Sequence, residues 1–135
     1  MRYLLSLLVF VIICILSLMP VPETPLSDIR FIDKWTHIVM YLGQSLTICY
    51  EYMRQHGLRL SSRLCPHGLR TSELRSSVLW LGGFVLPTLI GILMEILQAT
   101  CTGGTRSGDW VDALADAFGA LLACLFVKAF VRFWR

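Results

Sequence analysis

Four apolar runs, residues 3–19, 36–53, 78–97 and 111–131, occupy more than half of a chain of only 135 residues. At about 1.5 Å of rise per helical residue, runs of this length approach or cross a hydrocarbon layer of roughly 30 Å. Composition points the same way. The chain is 56% hydrophobic and 16% charged, with a mean hydropathy of +0.66, outside the range of ordinary soluble domains. The expected fold is an all-α integral membrane bundle of four transmembrane helices, forming a single domain over residues 1–135. The first run is short enough for a secretory signal. However, Met19-Pro20-Val21-Pro22 offers no small-x-small cleavage site, so it is taken as a retained span.

Orientation follows from the cationic side chains, because short loops rich in Lys and Arg stay cytoplasmic. Between the second and third runs lie Arg54, Arg59, Arg63, Arg70 and Arg75 against Glu73, which places that loop inside. Arg2, Lys128, Arg132 and Arg135 agree, so both termini are expected inside. The other loops hold Glu23, Asp28, Arg30, Asp33 and Lys34, then Arg106 and Asp109, in near balance. Interfacial aromatics give the same answer: Trp35 and Trp110 fall at the outer boundary, and Tyr3, Tyr50, Tyr52, Trp80 and Trp134 at the inner one. The basic loop is thus a topology signal with affinity for anionic membrane lipids, and nucleic-acid binding is not expected.

The polar residues near the spans collect at the outer end. Asp33, Lys34 and His37 open the second span, Glu95 and Gln98 close the third, and Arg106, Asp109, Asp112 and Asp116 open the fourth. Helical spacing gives them common faces. Asp33, His37, Tyr41 and Gln44 make one stripe; Gly83, Pro87, Gly91 and Glu95 step by four; and Asp109, Asp112 and Asp116 run on into Gly119, Ala120 and Ala123. Small residues below each acid are the pattern that lets membrane helices approach closely. The expectation is an outward-facing polar pocket among the second, third and fourth spans, with the first packed outside them. Pro87 is expected to bend the third span, either opening a cavity above the bend or serving as a packing kink with no function.

These blocks resemble the VanZ-like family of membrane proteins. Its pattern is acidic-Lys-x-x-His, then Glu-x-x-Gln, then Arg-x-x-acidic-x-x-Asp-x-x-x-Asn-x-x-Gly. Here the blocks read Asp33-Lys34-Trp35-Thr36-His37 with Tyr41 following, Glu95-Ile96-Leu97-Gln98, and Arg106-Ser107-Gly108-Asp109-Trp110-Val111-Asp112 through Asp116 to Gly119. The resemblance covers residues 33 to 120, with the blocks in order. It departs at Asp116, where the family usually has Asn. It implies a multi-pass protein of the bacterial inner membrane. The founding member is associated with reduced susceptibility to the glycopeptide teicoplanin, and the resemblance implies no reaction.

Chemistry therefore rests on the acids. Two carboxylates about 6 Å apart on one helix face repel by about 3 kcal/mol at an effective dielectric near 20, or about two pK units. Asp112 and Asp116 stand at that spacing, with Asp109 and Glu95 nearby. Compensation must come from protons, from Arg106, Lys34 or protonated His37, or from a bound cation. Pairing alone makes a structural network. A divalent cation would find oxygen and imidazole ligands in Asp109, Asp112, Asp116, Glu95 and His37. Protonation makes His37 and the acids a proton relay or acid–base set.

Three function classes follow. The first is a non-catalytic cell-envelope binding or accessory protein, recognising a lipid-linked cell-wall precursor through Arg106 and Lys34. The second is an enzyme acting on such a precursor at the outer leaflet, with His37 or Glu95 as base. The third is a small transporter subunit, for which four spans are few unless the chain oligomerises. The first is preferred because no nucleophile signature is present.

The remaining features are plainer. Cys14, Cys49 and Cys124 are expected as small apolar residues within spans, Cys65 as a reduced loop thiol, and Cys101 as the one outward cysteine, with no intramolecular disulfide. Glu51 is expected in solvent or among lipid headgroups. Thr102-Gly103-Gly104-Thr105 is expected as a simple connector.

Overall fold

The computed structural model describes residues 3–19, 32–55, 76–101 and 108–133, all of them helical apart from a few at helix ends. Arg59, Arg63, Arg70, Arg75 and Cys65 of the basic loop, residues 102–105, and Arg106 lie outside the described residues. Four helices result. α1 is Leu4–Leu18 and α2 is Ile32–Gln55. α3 runs as Ser76–Trp80, a wide π-helical turn at Leu81–Val85, and Leu86–Cys101. α4 is Trp110–Phe133. Within α3 and α4, Ser77–Cys101 and Trp110–Phe133 are long and apolar enough to cross a membrane. α1 is apolar but has 15 residues, and α2 is long but carries the polar stripe.

The distribution of side chains is inverted relative to a water-soluble bundle. Leu4, Leu7, Leu8, Ile15, Leu16, Leu89, Leu93, Leu114 and Phe126 are exposed, while Ser6, Ser45, His37, Gln44, Glu95, Gln98, Asp112 and Asp116 are buried. Exposed apolar surface on this scale marks an apolar environment rather than water.

α2 and α4 form the most extensive interface, and it closes at Gly119. A methyl group there would collide with the carbonyl oxygen of Ile38 and stand 3.1 Å from the Leu42 nitrogen, so backbone meets backbone. The glycines of α3 do different work. Gly91 receives Asp116, whose Cβ would lie 2.9 Å from an added methyl, and a methyl on Gly83 would stand 2.7 and 2.9 Å from the sulfurs of Cys49 and Cys124. The small-residue stripe read from sequence thus makes room for side chains on α3 and for backbone on α4.

Pro87 has no N–H to give the carbonyl one turn earlier, and its ring crowds that carbonyl. The helix answers by widening before the proline: the Leu86 N–H reaches back to Leu81, and the Thr88 hydroxyl donates to the Phe84 carbonyl at 2.8 Å. Beside the wide turn lies a cavity of about 410 Å³ bounded by Ser6, Phe10, Ile48, Gly82, Gly83 and Leu86. It reaches α1 at its N-terminal half, toward the end opposite the acid cluster, not on the outer side as the sequence suggested.

α1 is held at both ends by other helices. Its N-cap residue Tyr3 makes no side-chain cap, and its first turn has no acid. Glu51 of α2 fills the gap, accepting from the Leu5 N–H at 2.9 Å, the Ser6 N–H at 3.0 Å and the Ser6 hydroxyl. The solvated location expected for Glu51 is therefore corrected: it is buried and caps another helix. At the other end the Gln98 amide donates to the Ser17 carbonyl at 2.9 Å, one of the carbonyls a helix end leaves without an internal partner. Gln44 donates to the Ser6 carbonyl at 3.2 Å. Removing the cap by Glu51→Ala is expected to cost about 2 kcal/mol, with Glu51→Gln recovering part. Reversible unfolding in detergent measures both, and an unchanged midpoint for the alanine variant would refute the cap.

Candidate functional site

Three chain segments bring their polar groups to one end of the bundle. α4 begins there because Asp109 is its N-cap: Oδ1 accepts from the Val111 N–H at 3.0 Å, satisfying a first-turn donor. The loop before it is pinned to α3, since the Asp109 N–H donates to Glu95 Oε2 at 2.9 Å and a methyl on Gly108 would meet the Glu95 carbonyl oxygen.

Lys34 enters from α2, its ammonium 2.9 Å from Asp109 Oδ2 and 2.7 Å from Asp112 Oδ1. Burial works against the Lys34 charge, but hydrogen bonds to Asp112 and Asp109 outweigh it and raise its pKa. Asp109 is held below the usual carboxylate range by the Val111 N–H first and then by Lys34. Its cap and ion pair therefore persist into mildly acidic solution and are lost only as pH falls through that depressed value. Asp112 is buried while Lys34 is partly exposed, so the pair lies between the surface and buried limits. Lys34→Met is expected to destabilise the protein by about 2 kcal/mol. Lys34→Arg should retain most of that stability; equal losses in the two variants would show that charge is not what matters.

One turn deeper, His37 Nδ1 is 2.9 Å from Asp116 Oδ1 and 3.9 Å from Glu95 Oε1. Asp116 is 0% and Tyr41 1% exposed. Tyr41 lies one turn along the same face of α2. The second carboxylate oxygen of Asp116, Oε1 of Glu95 and the Tyr41 hydroxyl are buried without a hydrogen-bond partner. Ligand atoms of His37, Glu95 and Asp116 all lie within 4.8 Å of one another, as do those of Asp33, His37 and Asp112.

The structure thus brings together Asp33, Lys34, His37, Glu95, Asp109, Asp112 and Asp116, with Tyr41 beneath. The Gln98 amide nitrogen is turned to α1, where it donates to the Ser17 carbonyl. Arg106 falls outside the described residues. Among the described residues His37, Glu95, Asp112 and Asp116 form a buried tier with Asp33 exposed at its edge, and a recess of about 120 Å³ beside Glu95, Gly108, Asp109 and Trp110 reaches it. The glutamine and Glu51 contacts were missed because periodicity assigns faces, not partners. The uncapped start of α1 was the available signal. No protein-family model, curated protein or solved structure matches the chain.

Proposed function

We propose that the chain is a VanZ-like protein of the bacterial inner membrane, crossing four times with both termini inside. In this reading its polar tier is the binding site of a non-catalytic cell-envelope protein, linked to glycopeptide susceptibility. The observation that carries the reading is convergence. His37 and Asp116 are 79 residues apart yet hydrogen-bonded, and all three blocks of the family pattern contribute to one buried cluster. Inward polar and outward apolar side chains support the membrane setting for α1 and α2 as well as for the two longer apolar helices. Exposed Trp35 and Trp110 beside the cluster, and exposed Tyr3 and Tyr50 at the other end, fit two interfacial belts.

Lys34 is already paired with Asp109 and Asp112, so it is not the group that greets a ligand. The remaining valences are carboxylate oxygens and a phenol, which suit amide, hydroxyl or cationic donors. Arg106 is left to contact a phosphate or carboxylate. A lipid-linked cell-wall precursor carries all of these groups at the outer leaflet. A second reading, an enzyme acting on the same precursor, is favoured by the His37–Asp116 bond, because a carboxylate that orients an imidazole makes a general base.

The test is a thermal-stability titration of the protein in nanodiscs with lipid-linked precursor, sampled for product. Saturable stabilisation is expected, abolished in Arg106→Ala and Asp112→Ala, with no turnover. Product formation moves the conclusion to the enzyme reading. Absence of binding by well-inserted protein removes both.

A further inference from the structure

The inner tier is short of positive charge. Glu95, Asp112 and Asp116 are buried carboxylates, and the Lys34 ammonium is the one permanent cation among the described residues that pairs with them. With Lys34 counted against Asp112, two negative charges are left over among these three carboxylates within the described residues. Two protons, one of them on His37, or a single divalent cation would cancel them, and the geometry separates the two cases.

Metal–ligand bonds of about 2.0 to 2.1 Å set neighbouring donors about 3.3 Å apart in a tetrahedral site. The distances from His37 Nδ1 to Asp116 Oδ1 and Glu95 Oε1, 2.9 and 3.9 Å, bracket that spacing. Glu95 is 7% exposed and its Oε1 has no hydrogen-bond partner, although it points at the imidazole. A protonated carboxyl would need an acceptor; an oxygen without a hydrogen-bond partner among the described residues, 3.9 Å from the imidazole nitrogen, is placed as a ligand is. Glu95 Oε2 is meanwhile fixed by the Asp109 N–H, the kind of surrounding hydrogen bond that orients a metal-bound carboxylate. The alternative trio with Asp33 uses Asp112, which Lys34 already holds.

We propose that His37 Nδ1, Glu95 Oε1 and Asp116 bind one divalent transition-metal cation, Zn²⁺ or Mn²⁺, leaving a coordination position toward the recess that Glu95 lines. The imidazole and the tetrahedral spacing favour Zn²⁺ over Mg²⁺ and Ca²⁺, which take oxygen, with Mn²⁺ next through the two carboxylates. The proton between His37 and Asp116 leaves as the cation enters. This deepens the binding-site reading and rests on it for the role of the cluster, but metal content is measured without precursor, so each can fail alone.

Full-length protein in nanodiscs, purified without chelator, is analysed for metal. After chelation it is titrated with ZnCl₂, MnCl₂, MgCl₂ and CaCl₂ while thermal stability is followed. About one Zn or Mn per chain and saturable restoration by those ions are expected. Affinity should fall more than about a hundredfold in Glu95→Gln and Asp116→Asn, beyond the loss of a surrounding hydrogen bond, and stay unchanged in Glu51→Gln. Because either ligand variant could fold poorly, Co²⁺-loaded wild-type protein provides a second readout, a visible four-coordinate band. Absence of saturable binding, a response to Mg²⁺ or Ca²⁺ alone, undiminished affinity in both ligand variants, or a Co²⁺ spectrum like that of the free ion would each overturn the proposal.

Discussion

Gly119→Ala should lower the stability of the bundle by about 3 kcal/mol, the upper part of the range for overpacking a close interface. The obstacle is backbone: the added methyl meets the Ile38 carbonyl and stands 3.1 Å from both Ile38 C and Leu42 N, and no rotamer change relieves it. α2 and α4 would have to separate. Ile38 follows His37, and Gly119 lies three residues beyond Asp116, so separation lengthens the 2.9 Å His37–Asp116 bond as well. A packing change is thus expected to appear at the site. Gly43 on the same helix α2 is the control, since nothing lies within 4 Å of a methyl there. Gly43→Ala should be neutral or stabilising by about 0.5 to 1 kcal/mol through helix propensity. Unfolding of both variants in one detergent tests the pair, and equal tolerance of the two alanines would refute the close α2–α4 contact.

The helices were legible because length and hydropathy act within each segment. α2, α3 and α4 extend a few residues past the apolar runs, where polar ends such as Asp33, Lys34 and Gln98 still find partners in the bundle. The site was legible for a related reason: acids at spacings of three and four must share a face, and three such faces at one depth have little choice but to meet. Glu51 and Gln98 were not legible, because their partners lie 45 and 81 residues away on a helix with no polar stripe of its own. Apart from the Ser6 hydroxyl, what α1 offers is backbone, Ser6 and Ser17 carbonyls and the Leu5 and Ser6 N–H groups, and backbone leaves no mark on residue pattern. Pro87 announced a distortion, but its location depended on how the preceding turn and Thr88 shared the freed carbonyls.

His37→Leu should be the most costly change at the site, at about 3 to 5 kcal/mol, because it strands Asp116 without its partner in an interior where it is 0% exposed. Most of that cost is the penalty of an uncompensated charge rather than the worth of the bond. Adding Asp116→Asn should therefore restore a large part of it. Asn nearly matches Asp in shape and fits the space that Gly91 provides, whereas a larger side chain would press on α3. Measured on chelator-treated protein, the cycle should give a coupling of about 2 to 3 kcal/mol, within the range for contacting buried groups. Additive losses would mean that His37 and Asp116 act separately, and the account of Asp116 as a buried charge that His37 balances would fail. A coupling of the expected size explains how a fully buried acid is tolerated: the Asp116 charge has its counter-charge on the neighbouring helix, at hydrogen-bond distance.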